Sequence, residues 1–383
     1  MAKHGDTITD GGVSWKVVDT RIYGYIADIP NFYERSGLFK ANNSDSAVSI
    51  TTPEKLLVNI NNHGYIAEAT TLNLGTAASW DTTSGTNYTT AANRAGKDFY
   101  IYAVEQDGDV PKFLLSANAT VPTGSGYTAN NTRKIGGFHC LGVAATGISD
   151  TTHPLKDYAV GWILPLSVWD LRHRPVSDPE GMVWVEGIGK WVDIYLNSWD
   201  TTNSKLVSKY KGATADGGTQ NGQIWHGEKF AEKLGLIGKH LPMRDDFVVF
   251  AKGSNEGTAI TGANDKVYAG GWTDTAGRRM ISNYGIEDCC GFLWQWTSDV
   301  EAIDTFLTQS YDASNWSNSS IYNSSVDSQE YGSAYGNLHR ACVGGSWDGS
   351  SYCGSRCVSF NYVSSNVYTH CGARGASEPR KFE

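Results

Sequence analysis

Between Gly344 and Gly375 the chain gathers Ser346, Asp348, Ser350, Tyr352, Ser359, Asn361, Tyr362, Asn366, Tyr368, His370 and Cys371. The frame around them is Gly344-Gly345-Ser346-Trp347, Cys353-Gly354-Ser355-Arg356-Cys357 and Gly372-Ala373-Arg374-Gly375. The chemistry these residue types offer is noncovalent recognition. Tyrosine gives a large, stiff, amphipathic surface at small rotamer cost, while serine, asparagine and aspartate make adaptable hydrogen bonds. Many of the positions fall two apart (346, 348, 350, 352; 359, 361; 366, 368, 370). In extended backbone they would share one face, with Trp347, Val358, Phe360 and Val367 on the other. The same types also make up ordinary polar surface; their concentration in one glycine-held segment favours a contact face. Arg356 and Arg374 are expected to fix the loops by pairing with carboxylates or carbonyls.

Covalent and metal chemistry have weaker footing. Seven cysteines (Cys140, Cys289, Cys290, Cys342, Cys353, Cys357 and Cys371) are an odd number in a long chain and do not form a disulfide framework. Cys353 and Cys357 could pair or bind metal, yet a zinc cage needs a second ligand pair at matching spacing and none stands out, so packing roles are expected. His4, His63, His139, His153, His173, His226, His240, His339 and His370 show no ligand-spaced cluster, and His370 reads as a contact residue rather than a base. There is no Gly-x-Ser-x-Gly elbow and no phosphate-cradling glycine loop. Asp299 has the oxygen chemistry for calcium, although a structural hydrogen bond or salt bridge is the favoured reading. No catalytic residue, metal or cofactor is expected.

The elements that must position these residues follow from bulk properties. A length of 383 residues suggests two to three domains, if about 150 residues make one. With 43 Gly, 20 Tyr, 13 Trp and 19% charged residues, the composition is that of a folded, β-rich extracellular or virion protein. A net charge of -9 without a long basic run argues against nucleic acid as a partner, since phosphate neutralisation dominates that affinity. Met1 to Gly12 is polar where a secretory signal has an apolar core, and no apolar run approaches the roughly 20 residues of a membrane span. Membrane insertion is not expected, and exit from the cell would take another route, such as release of a particle.

Along the chain, three regions are expected: 1–45, 46–160 and 161–383. In the first, Asp10-Gly11-Gly12 joins two short β-prone runs in a hairpin signal, giving a small β attachment region. In the second, strand runs at Lys55–Ile60, Phe99–Val104 and Lys112–Ser116, the last two flanking an Asp107-Gly108-Asp109 turn, predict a β-sandwich or meander. Trp80–Gly96, rich in Thr, Ser, Asn and Gly, reads as a loop. Tryptophans at 162, 169, 184, 191 and 199 and the Arg172-His173-Arg174-Pro175 stretch mark entry to the third region. There the spacing of Phe230, Ala231 and Leu234 predicts a helix over Gly227–Leu236. A second helix follows Pro242, with Asp245 and Asp246 at its positive end and Lys252-Gly253 closing it. Gly285–Glu383 reads as short strands and long loops.

A resemblance rests on His240-Leu241-Pro242, Asp246-Phe247, Asn283-Tyr284-Gly285-Ile286, Gly291-Phe292-Leu293-Trp294-Gln295-Trp296, Gly344-Gly345-Ser346-Trp347 and Gly372-Ala373-Arg374, found in that order. Together these resemble the C-type lectin fold of the formylglycine-generating enzyme type. Ser167-Val168-Trp169-Asp170-Leu171, Arg174-Pro175, Asp178-Pro179, Gly181-Met182, Asp193-Ile194-Tyr195-Leu196 and Arg133-Lys134-Ile135-Gly136-Gly137-Phe138-His139 bring the resemblance closer. They are similar to the variable proteins of diversity-generating retroelements, in the branch of phage tropism determinants. The match covers residues 96–383; residues 1–95 match poorly, with Ile8–Trp15 similar to openings of some phage tail-fibre proteins.

The resemblance implies a β-rich multidomain chain: an N-terminal β attachment and trimerisation region, a β-sandwich intermediate domain, and a C-terminal α+β C-type lectin domain. In that family template adenines are replaced while framework codons stay fixed, and the Gly344–Gly375 frame puts the substituted positions on the eleven residues named first. Ten are asparagine or one adenine change from an AAC-type codon, and Cys371 needs two. The implied role is that of a tail-fibre receptor-binding protein, made in the host cytoplasm and carried distally on the virion as a homotrimer. Its partners would be other tail-fibre proteins and a bacterial cell-surface receptor, protein or glycan. One alternative is a variable protein displayed on a bacterial surface. A second is an oxidase of peptide cysteine, since relatives with this fold use a cysteine pair; here the Cys353/Cys357 gap differs, and Phe292 and Gln295 replace the polar residues of the related Gly-Asn-Val-Trp-Glu-Trp loop.

Overall fold

The computed structural model describes residues 7–10, 13–16, 33–34, 39–42, 47–53, 56–61, 63–81, 85–106, 110–220, 222–260, 268–302, 316–317, 334–335 and 338–381. The described chain is mostly strand, turn and loop, with few helices, and divides into two compact units. One comprises 1–93 and 99–137, the other 94–98 and 138–383. Residues 138–160, grouped above with the middle region, thus pack in the second unit. No helix among the described residues is long and apolar enough to cross a membrane.

In the first unit β1 (Thr7–Asp10) and β2 (Val13–Lys16) form the hairpin expected of Asp-Gly-Gly, with Asp10 opposite Val13. Next come β3 (Tyr33–Glu34), β4 (Lys40–Asn42), β5 (Ser49–Thr51), β6 (Leu56–Ile60), β7 (His63–Ala67) and β8 (Thr71–Asn73). They make two three-stranded sheets, β3-β6-β7 and β4-β5-β8. The predicted runs return as β6, β9 (Asp98–Val104) and β10 (Lys112–Ser116), and β9 lies between β10 and β11 (Thr132–His139). Central β9 is buried over Phe99–Val104 and so is apolar on both faces, whereas a half-exposed strand would alternate. The Asp107-Gly108-Asp109 turn lies outside the described residues.

The described residues of Trp80–Gly96 are tied down by apolar contacts. Trp80 is buried and bridges Leu115, and with Tyr88 and Phe99 it forms a ring cluster with centroids 5.0–5.5 Å apart. Helix α1 (Ala91–Arg94) follows.

The second unit contains β12 (Trp169–Asp170), β13 (Met182–Val185), β14 (Lys190–Asp193), β15 (Asn197–Asp200), β16 (Lys205–Ser208), β17 (Gly218–Gln220) and β18 (Gln223–Trp225). Helix α2 (Gly227–Gly235) and helix α3 (Arg244–Phe250) occupy the predicted places. Helix α2 buries Phe230 and Leu234 against Trp225, Leu241, Trp296 and Ala373, the pairing its apolar spacing requires. At the start of α3, Asp246 accepts from Met243 N (3.1 Å) and Asp299 accepts from Arg244 N (2.6 Å), so Asp299 has the structural role favoured for it. Gly253, with φ +88, follows the helix end.

Among the described residues of the last third, two strands are longer than expected and the others are short. Strand β19 (Trp294–Ala302) has nine residues and β22 (Leu338–Gly344) seven; β20 (Trp316–Ser317) and β21 (Ala334–Tyr335) pair with each other. With β23 (Gly354–Ser359) and β24 (Cys371–Gly372) the sheet order is β23-β22-β19-β24, in which β24 runs parallel to β19. Strand β25 (Ala376–Ser377) returns to pair with β14.

Candidate binding surface

Strand β19, whose Gln295, Trp296 and Thr297 are buried, lies between β22 and β24, the strands at the two ends of the Gly344–Gly375 segment. The chain leaves β22 through Gly344 and Gly345, at φ +89 and +80. A Cβ on Gly344 would strike Cys289 O, and one on Gly345 would come within 2.7 Å of Tyr352 O, so side chains are excluded here twice over. Trp347 N donates to Phe292 O (3.0 Å) and the Cys353 thiol to Ser346 O (3.3 Å). A 3₁₀ turn, Ser350–Tyr352, leads into β23, where Ser355 donates to the Glu256 carboxylate through N (3.1 Å) and Oγ (2.6 Å). Past β23, His339 Nδ1 donates to Phe360 O (2.9 Å), Arg340 N to Tyr362 O (3.1 Å) and Trp294 N to His370 O (2.9 Å).

Extended pairing of positions two apart therefore does not govern the segment. Only β23 and β24 are strand; the rest is turn and loop set by glycines and by the register shift between Val343 and Gly344. Val358 and Val367, expected to anchor, are 38% and 40% exposed. Of the eleven positions, Asp348, Tyr352 and Asn361 are exposed, with Tyr352 at 74%, and Ser359, Tyr362, Asn366, Tyr368 and His370 are half-buried. Ser346 and Cys371 are buried, which corrects the expectation that all eleven point outward. The Ser346 hydroxyl donates to Asp348, and Cys371 lies in the apolar core with Trp296 and Cys342. The Ser350 side chain lies outside the described residues.

The half-buried rings form a connected group. Tyr362 meets Tyr368 edge-on at 4.9 Å, Tyr368 stacks on His370 at 5.2 Å, and Tyr362 stands 6.2 Å from Trp296 and 6.4 Å from Trp294. Asn366 Nδ2 donates to Tyr368 Oη (2.8 Å). Such ring contacts fix orientation as well as burying area. Burial, helped by the nearby Cys371, Cys342 and Asp348 groups, raises the Tyr362 phenol, which stays neutral and can donate.

Arg374 is the pin of the frame. Fully buried, it donates through Nη1 to Asp193 O (2.7 Å) and Ile194 O (2.6 Å), through Nη2 to Glu287 O (2.5 Å) and through Nε to Gln295 Oε1 (3.2 Å). Its partners are carbonyl-type oxygens, one of the two kinds expected. Arg356, by contrast, is exposed on β23 with no partner among the described residues, so its expected role as a clamp is not met. Gln295 also donates to Cys289 O (2.7 Å), and Phe292 is buried.

All seven cysteines are free thiols, six of them buried. Burial pushes the Cys353 thiol up to about 12, helped by the neighbouring Cys357, and raises Cys357 as well. A reactive cysteine needs the opposite shift. In the Cys342/Cys371 pair, burial and the shared hydrogen bond hold Cys342 well above its ordinary value; Cys371 lies lower, because hydrogen bonds from Cys342 and His370 outweigh its burial.

A polar and aromatic loop surface on a pinned β frame is what the chain's relatives can be compared against. Residues 57–170 match the family model of the Mtd second domain. The tail fiber receptor-binding protein of Bordetella phage BPP-1 is 29% identical over 314 residues, covering 77% of this chain and 74% of that protein. Among solved structures, the Major Tropism Determinant U1 variant superposes with a TM-score of 0.68 at 23% identity, over 97% of this chain and 91% of its own. The I1 variant gives 0.68 at 24% identity with the same coverage. The chain thus has the β-rich fold of the Major Tropism Determinant variants, as its sequence resemblance implied.

Within that fold, several supporting residues escaped the sequence reading. Glu256 holds Ser355 from 99 positions away, and His339 holds Phe360 O. Gly217 donates to Cys371 O (3.1 Å), and a Cβ on it would overlap the Tyr368 backbone. No spacing rule could have flagged them, since each is defined by what folds onto it.

Proposed function

We propose that this chain is a phage tail-fibre receptor-binding protein that determines host tropism through the surface between Gly344 and Gly375. The relatives in the comparison carry that function in their names, tail fiber receptor-binding protein and Major Tropism Determinant. The finer layout we assign is an attachment and trimerisation region over 1–45, a β-sandwich-like domain in the rest of the first unit and a C-type lectin domain in the second. The chain would act as a homotrimer at the distal end of the tail fibre. Repetition over three copies and several fibres would raise avidity by about 10²–10⁴ without added contacts.

The observation that carries the reading is the contrast between a frame fixed by Arg374 and its four hydrogen bonds and a surface of Asp348, Tyr352, Asn361, Tyr362, Asn366, Tyr368 and His370 that no backbone requirement fixes. Ser346 and Cys371 would act from below, by bracing Asp348 and by filling the core under the rings. Binding breaks no bond, and the raised Cys353 and Cys357 thiols support a non-enzymatic reading over peptide-cysteine oxidation. The test exchanges Asp348, Ser350, Tyr352, Ser359, Asn361, Tyr362, Asn366, Tyr368 and His370 for those of a sibling variant and leaves the buried Ser346 and Cys371 in place. Cell binding should move to a different host while the melting temperature and oligomeric state stay fixed; an unchanged host range removes the assignment. Turnover of a peptide cysteine with copper or calcium, lost in Cys357→Ser, would favour the oxidase instead.

A further inference from the structure

The first unit contains a cavity of about 400 Å³ lined by Asp81, Thr86, Tyr88, Asn118, Thr120 and Thr123 together with two alanines. That volume lies within the about 300–1,000 Å³ of small-molecule sites. Asp81 follows the Trp80–Leu115 bridge and is 7% exposed. Its Oδ2 accepts from Ser116 Oγ (2.6 Å) and Thr123 N (2.6 Å), which staples the 117–123 loop to the end of β10. Its second oxygen, Oδ1, has no partner among the described residues. Oδ1 keeps enough exposure to be reached from the cavity, where it can accept from a bound group.

The rest of the lining supplies complementary groups. Asn118 uses Oδ1 on Thr120 N (3.0 Å) and Thr120 Oγ1 (3.1 Å), so its amide Nδ2 remains as a donor. The Thr86 and Thr123 hydroxyls have no partner among the described residues and can donate or accept. The Tyr88 ring is steadied at 5.5 Å from Trp80 and 5.1 Å from Phe99 and gives the cavity one flat apolar wall.

We propose that this cavity is a second ligand site, independent of the Gly344–Gly375 surface, for a neutral saccharide unit. Adjacent sugar hydroxyls would donate to Asp81 Oδ1, accept from the Asn118 amide and exchange hydrogen bonds with Thr86 and Thr123, with a C–H face against Tyr88. An anionic ligand is disfavoured by the Asp81 charge. A hard cation would find a single carboxylate, and the described residues contain no group of three His, Cys, Asp or Glu able to hold a metal.

The experiment is saturation-transfer NMR on the full chain with methyl glycosides of glucose, galactose, mannose and N-acetylglucosamine at up to about 50 mM, a range that reaches millimolar dissociation constants. At least one glycoside should receive saturation. Asp81→Asn keeps one oxygen for the Ser116 and Thr123 staple but turns the second acceptor into a donor, and should weaken binding about tenfold or more. If that variant fails to fold, Thr123→Val, whose backbone still reaches Asp81, should weaken binding by removing one hydroxyl. Absence of saturation for all four glycosides, signals unchanged in both variants, or a response to calcium alone would each overturn the proposal.

Discussion

Arg374→Met replaces the pinning guanidinium by a side chain of similar length without donors. Four acceptors, Asp193 O, Ile194 O, Glu287 O and Gln295 Oε1, then lose a charged partner in a fully buried place. At about 1 kcal/mol or more each, the loss reaches about 4 kcal/mol, within the about 3–5 kcal/mol typical of breaking a buried charge network. In a unit of this size that corresponds to a fall of about 8–16 °C in melting temperature. Tyr352→Ser is the counterpart: its side chain is 74% exposed, and the expected change is within about 0.5 kcal/mol. Calorimetry on both variants gives the comparison, with tryptophan fluorescence following the second unit. An Arg374→Met transition within about 2 °C of the parent would refute the argument that this residue holds the frame.

Asp288 is buried with φ +56 and one oxygen, Oδ1, unpartnered among the described residues. Burial, then the neighbouring Glu287 charge, raises its carboxyl to about 7 from an ordinary 3.8. Because the folded value lies above the unfolded one, its contribution is fully present below about pH 4 and is lost as pH rises through about 7. Asp288→Asn tolerates the left-handed backbone and should raise the melting temperature at pH 8 far more than at pH 5; equal shifts at both would disprove the linkage. Gly217→Ala would drive a Cβ into the Tyr368 backbone. It should abolish cell binding while secondary structure by circular dichroism persists, and undiminished binding would show that the Tyr362, Tyr368 and His370 group need not be held in place.

The fold class and much of its scaffolding were legible in the sequence, because local physics dictates them. The Asp10-Gly11-Gly12 hairpin, strands β6, β9 and β10, and helices α2 and α3 follow from turn chemistry, apolar runs and 3.6-residue spacing, all contained within short windows. The glycines at 344 and 345 were legible as part of the frame, and the structure shows that a side chain there would meet backbone. Tertiary structure alone decided which side of each residue meets solvent. A two-residue period predicts one face only if the chain is extended, and the turns between Gly345 and Gly354 break it, so Ser346 is buried and Val358 exposed. Cys371 is buried because β24 runs parallel beside β19, a pairing between segments more than 70 residues apart that no local pattern encodes. The partners of Arg374 and the cavity beside Asp81 are likewise products of distant segments meeting. Sequence named Arg374 but did not single out Asp81; only folding determined which oxygens were satisfied and which was left open to the cavity.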